Sequence, residues 1–376
     1  MENPCSRRAL LGATALSATA CFQKTKPGFV GYAFVANQQG RAIAAVDLTA
    51  FAVVRHIALD GEPSRLVSHV ARETVYALTP DAGAIYEISS TALQRARWNA
   101  LGGQAVDMRL GRRGQSLWCL LRNPKQLVEF RLDSFEVTRR ISLPAEPRDF
   151  DLSPAQPLAA VSFLDSPEAT TVSLESGEIR KVTAGSAINL VRFRGDGRQW
   201  VAAHADKPLL SLFDTASGRL VVRLPLAMRP ENVCFNADGG QLFVTGEGMD
   251  AVAIVFPYST EVAETVLAGR APGPMASSPG IAGEPEYLFV TNPRSGQVTI
   301  IDIETRKAVA TAQVGAEPSH VVITPDNQFA LVLNRGSGDM AVIRIQSAAR
   351  RTRFPAALFT MIPVGSRPVS AVVQAV

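Results

Sequence analysis

No stretch of the mature chain keeps an apolar period near 3.6 residues, which argues against helical bundles and alternating βαβ folds. The apolar run near the N-terminus, "ALLGATALSATA" (Ala9–Ala20), is too short to span a bilayer. Cysteine is scarce, with four in 376 residues. After Cys21 only Cys119 and Cys234 remain, and neither belongs to a CxxC or CxxCH pattern. Zinc ribbons and covalent haem attachment therefore find no support, and both thiols read as small buried hydrophobes in strands. The chain also lacks GxSxG, HExxH, P-loop and EF-hand signatures. "TGEGMD" (Thr245–Asp250) opens no helix, so it reads as a turn between strands, not a dinucleotide loop. The four histidines offer little for a Ser-His-Asp triad. His56 falls on an expected outer strand, His69 at the end of an inner strand, and His204 in an expected loop. The net charge of +4 and pI near 9.0 come from scattered arginines, which argues against a nucleic-acid partner.

Residues 1–21 differ from the rest. "SRRALLG" (Ser6–Gly12) sets paired arginines before an apolar run, as in twin-arginine export signals. "ATAC" (Ala18–Cys21) resembles a lipoprotein box, with Ala18 where a leucine is usual, and makes Cys21 the lipidation candidate. The expectation is a periplasmic or cell-envelope protein whose one membrane contact is a lipid anchor at Cys21. Residues 22–29 read as a short linker, and 30–376 as a single repeat domain.

What is abundant is repetition. A Gly-x-x-Pro-like landmark begins at Asp60, Gly102, Pro144, Gly185, Ala227, Gly269, Gly315 and Gly365, in steps of 42, 42, 41, 42, 42, 46 and 50 residues. After each comes the same order of short Val- and Ile-rich runs, bounded by Gly, Pro, Asn and Asp, which reads as strands. Four strands per unit of this length point to β-propeller blades. "YLFVT" (Tyr287–Thr291) and "VTIIDI" (Val298–Ile303) are apolar on both alternating faces, as a sheet sandwiched between two others requires. The first described run, "GYAFVAN" (Gly31–Asn37), is a second-strand phrase. The last, "GSRPVSAVVQAV" (Gly365–Val376), is a first-strand phrase. The C-terminal strand should therefore complete the first blade and remove two open edges. Second-strand phrases occur eight times, which predicts an all-β, eight-bladed, four-stranded propeller; seven blades is the alternative if one degenerate unit is an insertion. The outer strands, such as "VTRRISL" (Val137–Leu143), are rich in arginine, as exposed sheet edges commonly are. Two insertions break the period, Ser277–Glu286 and Ser347–Met361; the second reads as a solvated loop anchored by a Phe.

The segment Tyr287–Gln328 resembles the YVTN-type propeller repeat, through Val290-Thr291-Asn292, Ile300-Ile301-Asp302, Val314 to Pro318 and Pro325-Asp326. The resemblance is strong over Glu286–Ile345 and weak between about Ala71 and Ala203. The family is similar to surface-layer and cytochrome-d1-like propellers and to a lactonase group. It implies an exported binding or scaffold module and fixes no activity.

In such a fold the first strands surround the central channel. Two and four residues after each landmark proline, side chains of one alternation set should face it. That set contains Arg65, Asp107, Arg109, Asp149, Asp151, Arg192, Asn232 and His320, together with Leu190. The three aspartates come from adjacent blades and could take a divalent cation, or could pair with the three arginines. No cofactor is expected otherwise. The primary expectation is a monomeric binding module for a small polar ligand or an envelope protein, with no catalytic residue named. The rivals are a lactonase-like hydrolase, cation-assisted through Asp107, Asp149, Asp151 and His320, and a redox protein holding haem d1.

Overall fold

The computed structural model describes residues 28–259, 261–346 and 358–375. The signal-like segment, the lipidation candidate Cys21 and most of the second insertion lie outside them. Eight four-stranded antiparallel sheets follow one another, each ordered from an inner to an outer strand. Each inner strand touches the next, which closes the sheets into a ring. Blade 1 is composite: Pro368–Ala375 is its inner strand, followed by Gly31–Asn37, Ala42–Asp47 and Ala52–Ala58. Blades 2 to 8 begin at Arg65, Gln104, Pro147, Ile188, Arg229, Met275 and Pro318. Eight blades, and closure by the C-terminal strand, are as the repeat predicts.

The second strands explain the closure of the core. In Phe329–Asn334, Phe329, Leu331 and Leu333 pack against Ala33, Val35, Ala44 and Val46 of blade 1. Ala330 and Val332 point the other way, onto Tyr287, Phe289, Val298 and Ile300 of blade 7. Eight such clusters fill the eight blade-to-blade seams, and every residue of this strand is buried. At about 1.5–3 kcal/mol for each large side chain removed from water, these seams dominate stability. Cys119 lies fully buried in Ser116–Asn123, where burial pushes its thiol pKa far up. Cys234 is half-buried, and both are free thiols.

The repeated asparagine and glycine have one explanation. At the end of the second strand in blades 7, 8 and 1 stand Asn292, Asn334 and Asn37, all buried. Gly269 Nα donates to Asn292 Oδ1 at 2.9 Å, and Asn292 Nδ2 donates to Thr299 Oγ1 at 2.9 Å. Asn37 Nδ2 donates to the Val364 carbonyl at 2.7 Å. A Cβ at Gly269 would lie 2.4 Å from Asn292, and one at Gly365 2.8 Å from Asn37. In blades 7 and 1 the amide thus latches the chain as it crosses between blades, and only glycine lets it approach; Asn334 lies equally close to Gly315 but donates to Asp339 of its own blade at 2.6 Å. In the other blades this place is taken by Thr79, Leu121, Phe163, His204 and Gly246. His204 is accordingly not in a loop. It ends the strand Gln199–His204, fully buried between Ser186 Oγ at 2.5 Å from Nδ1 and Ser211 Oγ at 2.8 Å from Nε2. Burial lowers its pKa, so it serves as a neutral hydrogen-bonding substitute for the asparagine.

The outer-strand arginines do more than guard an edge. Arg97 donates to the Leu132 carbonyl of blade 3 at 3.1 Å and lies 4.2 Å over the Phe135 ring. Arg139 repeats the contact on Leu174 and Glu175 of blade 4, and Arg180 on Ala216 of blade 5 at 3.1 Å. Each therefore ties its blade to the next, which accounts for much of the basic composition.

Replacing Asn292 with alanine strands the Gly269 amide and should cost about 1–3 kcal/mol, read as a lowered urea midpoint. Deleting Pro368–Val376 should abolish the cooperative melt and broaden the size distribution in light scattering, because blade 1 then exposes both an edge and a seam. A deletion variant that melts like the full chain would contradict this account of closure.

Candidate functional site

The inner strands are five to eight residues long, apart from the three-residue Met275–Ser277, and their alternation decides what reaches the centre. Met108, Phe150, Val191 and Val321 pack onto the preceding blade, as expected for the apolar set. The other set leans toward the following blade. Its apolar members are absorbed there: Leu190 is buried between blades 5 and 6, and Val322 packs into the seam of blades 8 and 1. Leu190 is thus not a channel residue. The inner strand has a blade on either side, so only long or charged side chains also reach the axis.

The charged members are brought together, pair by pair, across successive blades. Arg65 Nε lies 3.3 Å from Asp107 Oδ1, and Arg109 Nη2 lies 3.3 Å from Asp107 Oδ2. Arg109 Nε lies 3.9 Å from Asp151 Oδ1, at the edge of ion-pair range. Arg192 Nη1 donates to Asp149 Oδ2 at 2.6 Å, and the Val191 amide donates to the same oxygen at 2.9 Å. The Phe193 amide donates to Asp151 Oδ2 at 2.8 Å. All six side chains are only part-exposed, between 16% and 34%. Each aspartate therefore stitches its blade to a guanidinium or an amide one repeat along the chain. Burial raises the pKa of Asp151 against the pull of Arg109 and Arg192. Burial also works against the Arg192 cation, but Asp149 and Asp151 outweigh it and hold its pKa above the usual value. Arg65 is lowered by burial, only partly offset by Asp107. Among the described residues no group of three His, Cys, Asp or Glu side chains is arranged to hold a metal ion.

His320 and Asn232 stand outside this network. Asn232 Nδ2 reaches Thr245 Oγ1 at 3.4 Å, and Thr245 in turn donates to the Gly273 carbonyl of the next crossing at 2.8 Å. His320 Nε2 lies 3.4 Å from the Ala371 carbonyl of blade 1. Burial, then the charge of Arg65, lowers its pKa to about 4. Ser370 belongs to the set expected to face the channel; the sequence reading passed over Ser68 and Gln374, which with it complete the polar lining at the join. Ser370 Oγ accepts from the Leu66 amide at 3.1 Å, and the fully buried Gln374 takes a hydrogen bond from Ser68 and donates to the Val70 carbonyl at 3.3 Å. The signal of Gln374 was available, since a polar residue in a phrase otherwise as apolar as "VSAVVQAV" (Val369–Val376) needs a partner.

No family model matches the chain. It is 26% identical over 140 residues to the seven-bladed β-propeller protein Rv1057 of Mycobacterium tuberculosis. That match covers 36% of this chain and 35% of the relative's length. Among solved structures it is similar in fold to the dihydro-haem d1 dehydrogenase NirN in complex with DHE, with a TM-score of 0.76 and 13% identity over 91% of this chain and 75% of that one. It is also similar to apo AztD from Citrobacter koseri, with a TM-score of 0.67 and 14% identity over 92% and 98% of the two chains. These likenesses show a propeller; at such identities they show nothing of the chemistry.

Two outcomes are expected. Asp149→Ala and Arg192→Ala should each destabilise, and the double-mutant cycle should give a coupling of about 1–3 kcal/mol. For His320 the folded pKa is depressed from 6.5 to about 4, so the unfolded chain binds the proton first. Its contribution is full above pH 6.5 and is lost as pH falls toward 4, amounting to about 2–3 kcal/mol. Urea titrations at pH 7 and pH 4.5 should show this loss in the wild type and a flatter dependence in His320→Gln.

Proposed function

We propose that this chain is a YVTN-type propeller exported to the cell envelope, where it binds a small polar ligand or a protein partner at the channel mouth and the surrounding loops. The observation that carries the reading is the state of the hub carboxylates. Asp107, Asp149 and Asp151 are each engaged by a guanidinium or a backbone amide, so the hub presents a fixed charge pattern and not a free general base. Such a pattern suits recognition, because preorganised charges need no rearrangement on binding. The loops from second to third strands and from fourth to first strands share the same end of the antiparallel blades. On that end a shallow hollow of about 330 Å³ lies beside Asp250, Arg270 and Arg294. NirN, similar in fold, is described in complex with DHE, so the architecture is compatible with holding a ligand. In this reading the chain acts as a monomer, avoids nucleic acid, needs no cofactor and meets the membrane through a lipid on Cys21.

Site-specific photo-crosslinking in the native envelope tests it. A photoreactive residue at Arg270 on the loop face should capture a discrete species, while one at Val309 on an outer strand should not. Equal labelling from both positions would overturn the reading. So would lactone hydrolysis by the purified protein that disappears in Asp149→Asn, which would establish the hydrolase instead.

A further inference from the structure

On the opposite end of the ring, away from the loop face, a cleft of about 180 Å³ opens between blades 3 and 4. Its floor is apolar: Trp118 of blade 3 with Leu152, Pro157 and Leu174 of blade 4. Its two walls carry opposite charge. Blade 3 contributes Arg112 and Arg113, both exposed, and blade 4 contributes the exposed Glu175. The arginines stand on a rigid platform. The Gly111 amide donates to Ser116 O at 2.8 Å, the Gly114 amide donates to Gly111 O at 2.8 Å, and His69 Nε2 lies 2.8 Å from the Gly114 carbonyl. Gly114 has φ +66°, and a Cβ there would sit 2.9 Å from His69, so this turn needs glycine. Among the described residues neither guanidinium is committed to a protein carboxylate. The other acid of the cleft, Glu129, is occupied by Thr138 at 3.2 Å and approached by Arg131 at 4.0 Å.

We propose that this cleft binds a small zwitterion with an apolar body, of the class of a free aliphatic amino acid. The carboxylate would meet Arg112 and Arg113, whose forked donors match two oxygens. The ammonium would meet Glu175 on the facing blade, and the side chain would lie on the Trp118 and Leu174 floor. The volume, about 180 Å³, is below the range of drug-sized pockets and is on the scale of one amino-acid residue. Both ionic partners sit in different blades, so a ligand with only one charge leaves the other wall unmatched. This site is independent of the channel and of the reading of the loop face.

Calorimetric titration of the purified chain with leucine, 4-methylpentanoate and 3-methylbutylamine tests the assignment. The last two lack the amine and the carboxylate respectively. Leucine should bind with a Kd in the millimolar range or below, and each analogue at least tenfold more weakly. Arg112→Ala/Arg113→Ala should lose leucine binding without changing the melting temperature, since both side chains are exposed. Glu175→Gln should bind leucine and 4-methylpentanoate equally. Leucine affinity unchanged in the double arginine variant, or no heat for leucine at millimolar concentration in the wild type, overturns the proposal.

Discussion

Every second strand in this ring is apolar on both faces, and a sheet of that kind must be covered twice. A row of blades would leave two faces bare, and a closed ring leaves none. The pairing of Pro368–Ala375 with Gly31–Asn37 makes the difference, since it seats the last segment as the innermost strand of blade 1. Backbone pairing alone would not define the register. The Asn37 amide on Val364, the Gln38 amide on Arg367 at 3.0 Å and Gln374 on Ser68 and Val70 add side-chain and loop contacts from both flanking blades. The seam clusters then pack without exception around the ring.

Closure also decides what the centre can be. With a neighbour on each side, an inner strand has no face that belongs to the channel alone. Its charged side chains solve this by reaching sideways, Arg65 to Asp107 and Asp149 to Arg192, so the hub is part of the packing as much as part of a cavity. Removing one partner of such a half-buried pair leaves the other charge in poor solvent, which is why the hub favours a fixed geometry. His320 follows the same logic, kept neutral by its surroundings and by Arg65.

Much of this was legible in the chain itself. The recurrence from Asp60 to Gly365 gave blade number, strand order and closure, because spacing and two-faced apolarity are local properties of the text. The Asp and Arg positions at the hub were also found by counting from the landmark proline, and the structure places them in two ion-paired groups, Arg65–Asp107–Arg109–Asp151 and Asp149–Arg192. What could not be read was orientation. Leu190 has the right number for the channel, yet a leucine gains more from the seam with blade 6. His204 looked like a loop residue because its strand ends where an asparagine would normally signal the boundary; only its two serine neighbours, 18 and 7 residues away, reveal the substitution. The cleft between blades 3 and 4 joins turns from different repeats, and a periodic reading treats such turns as interchangeable.

The asparagine latches of blades 7 and 1 hold chain crossings, Asn292 on Gly269 and Asn37 on Val364, and the second lies at the one place where the ring is closed without a covalent link, the pairing of Pro368–Ala375 with Gly31–Asn37 inside blade 1. The charged hub, by contrast, is drawn from blades 2 to 5, away from that closure. The repeat signature is thus clearest in the blades that lead up to and include the closure, and it fades in the arc opposite. A new specificity grafted onto this scaffold belongs in that arc, where a lost repeat signature does not unfasten the ring.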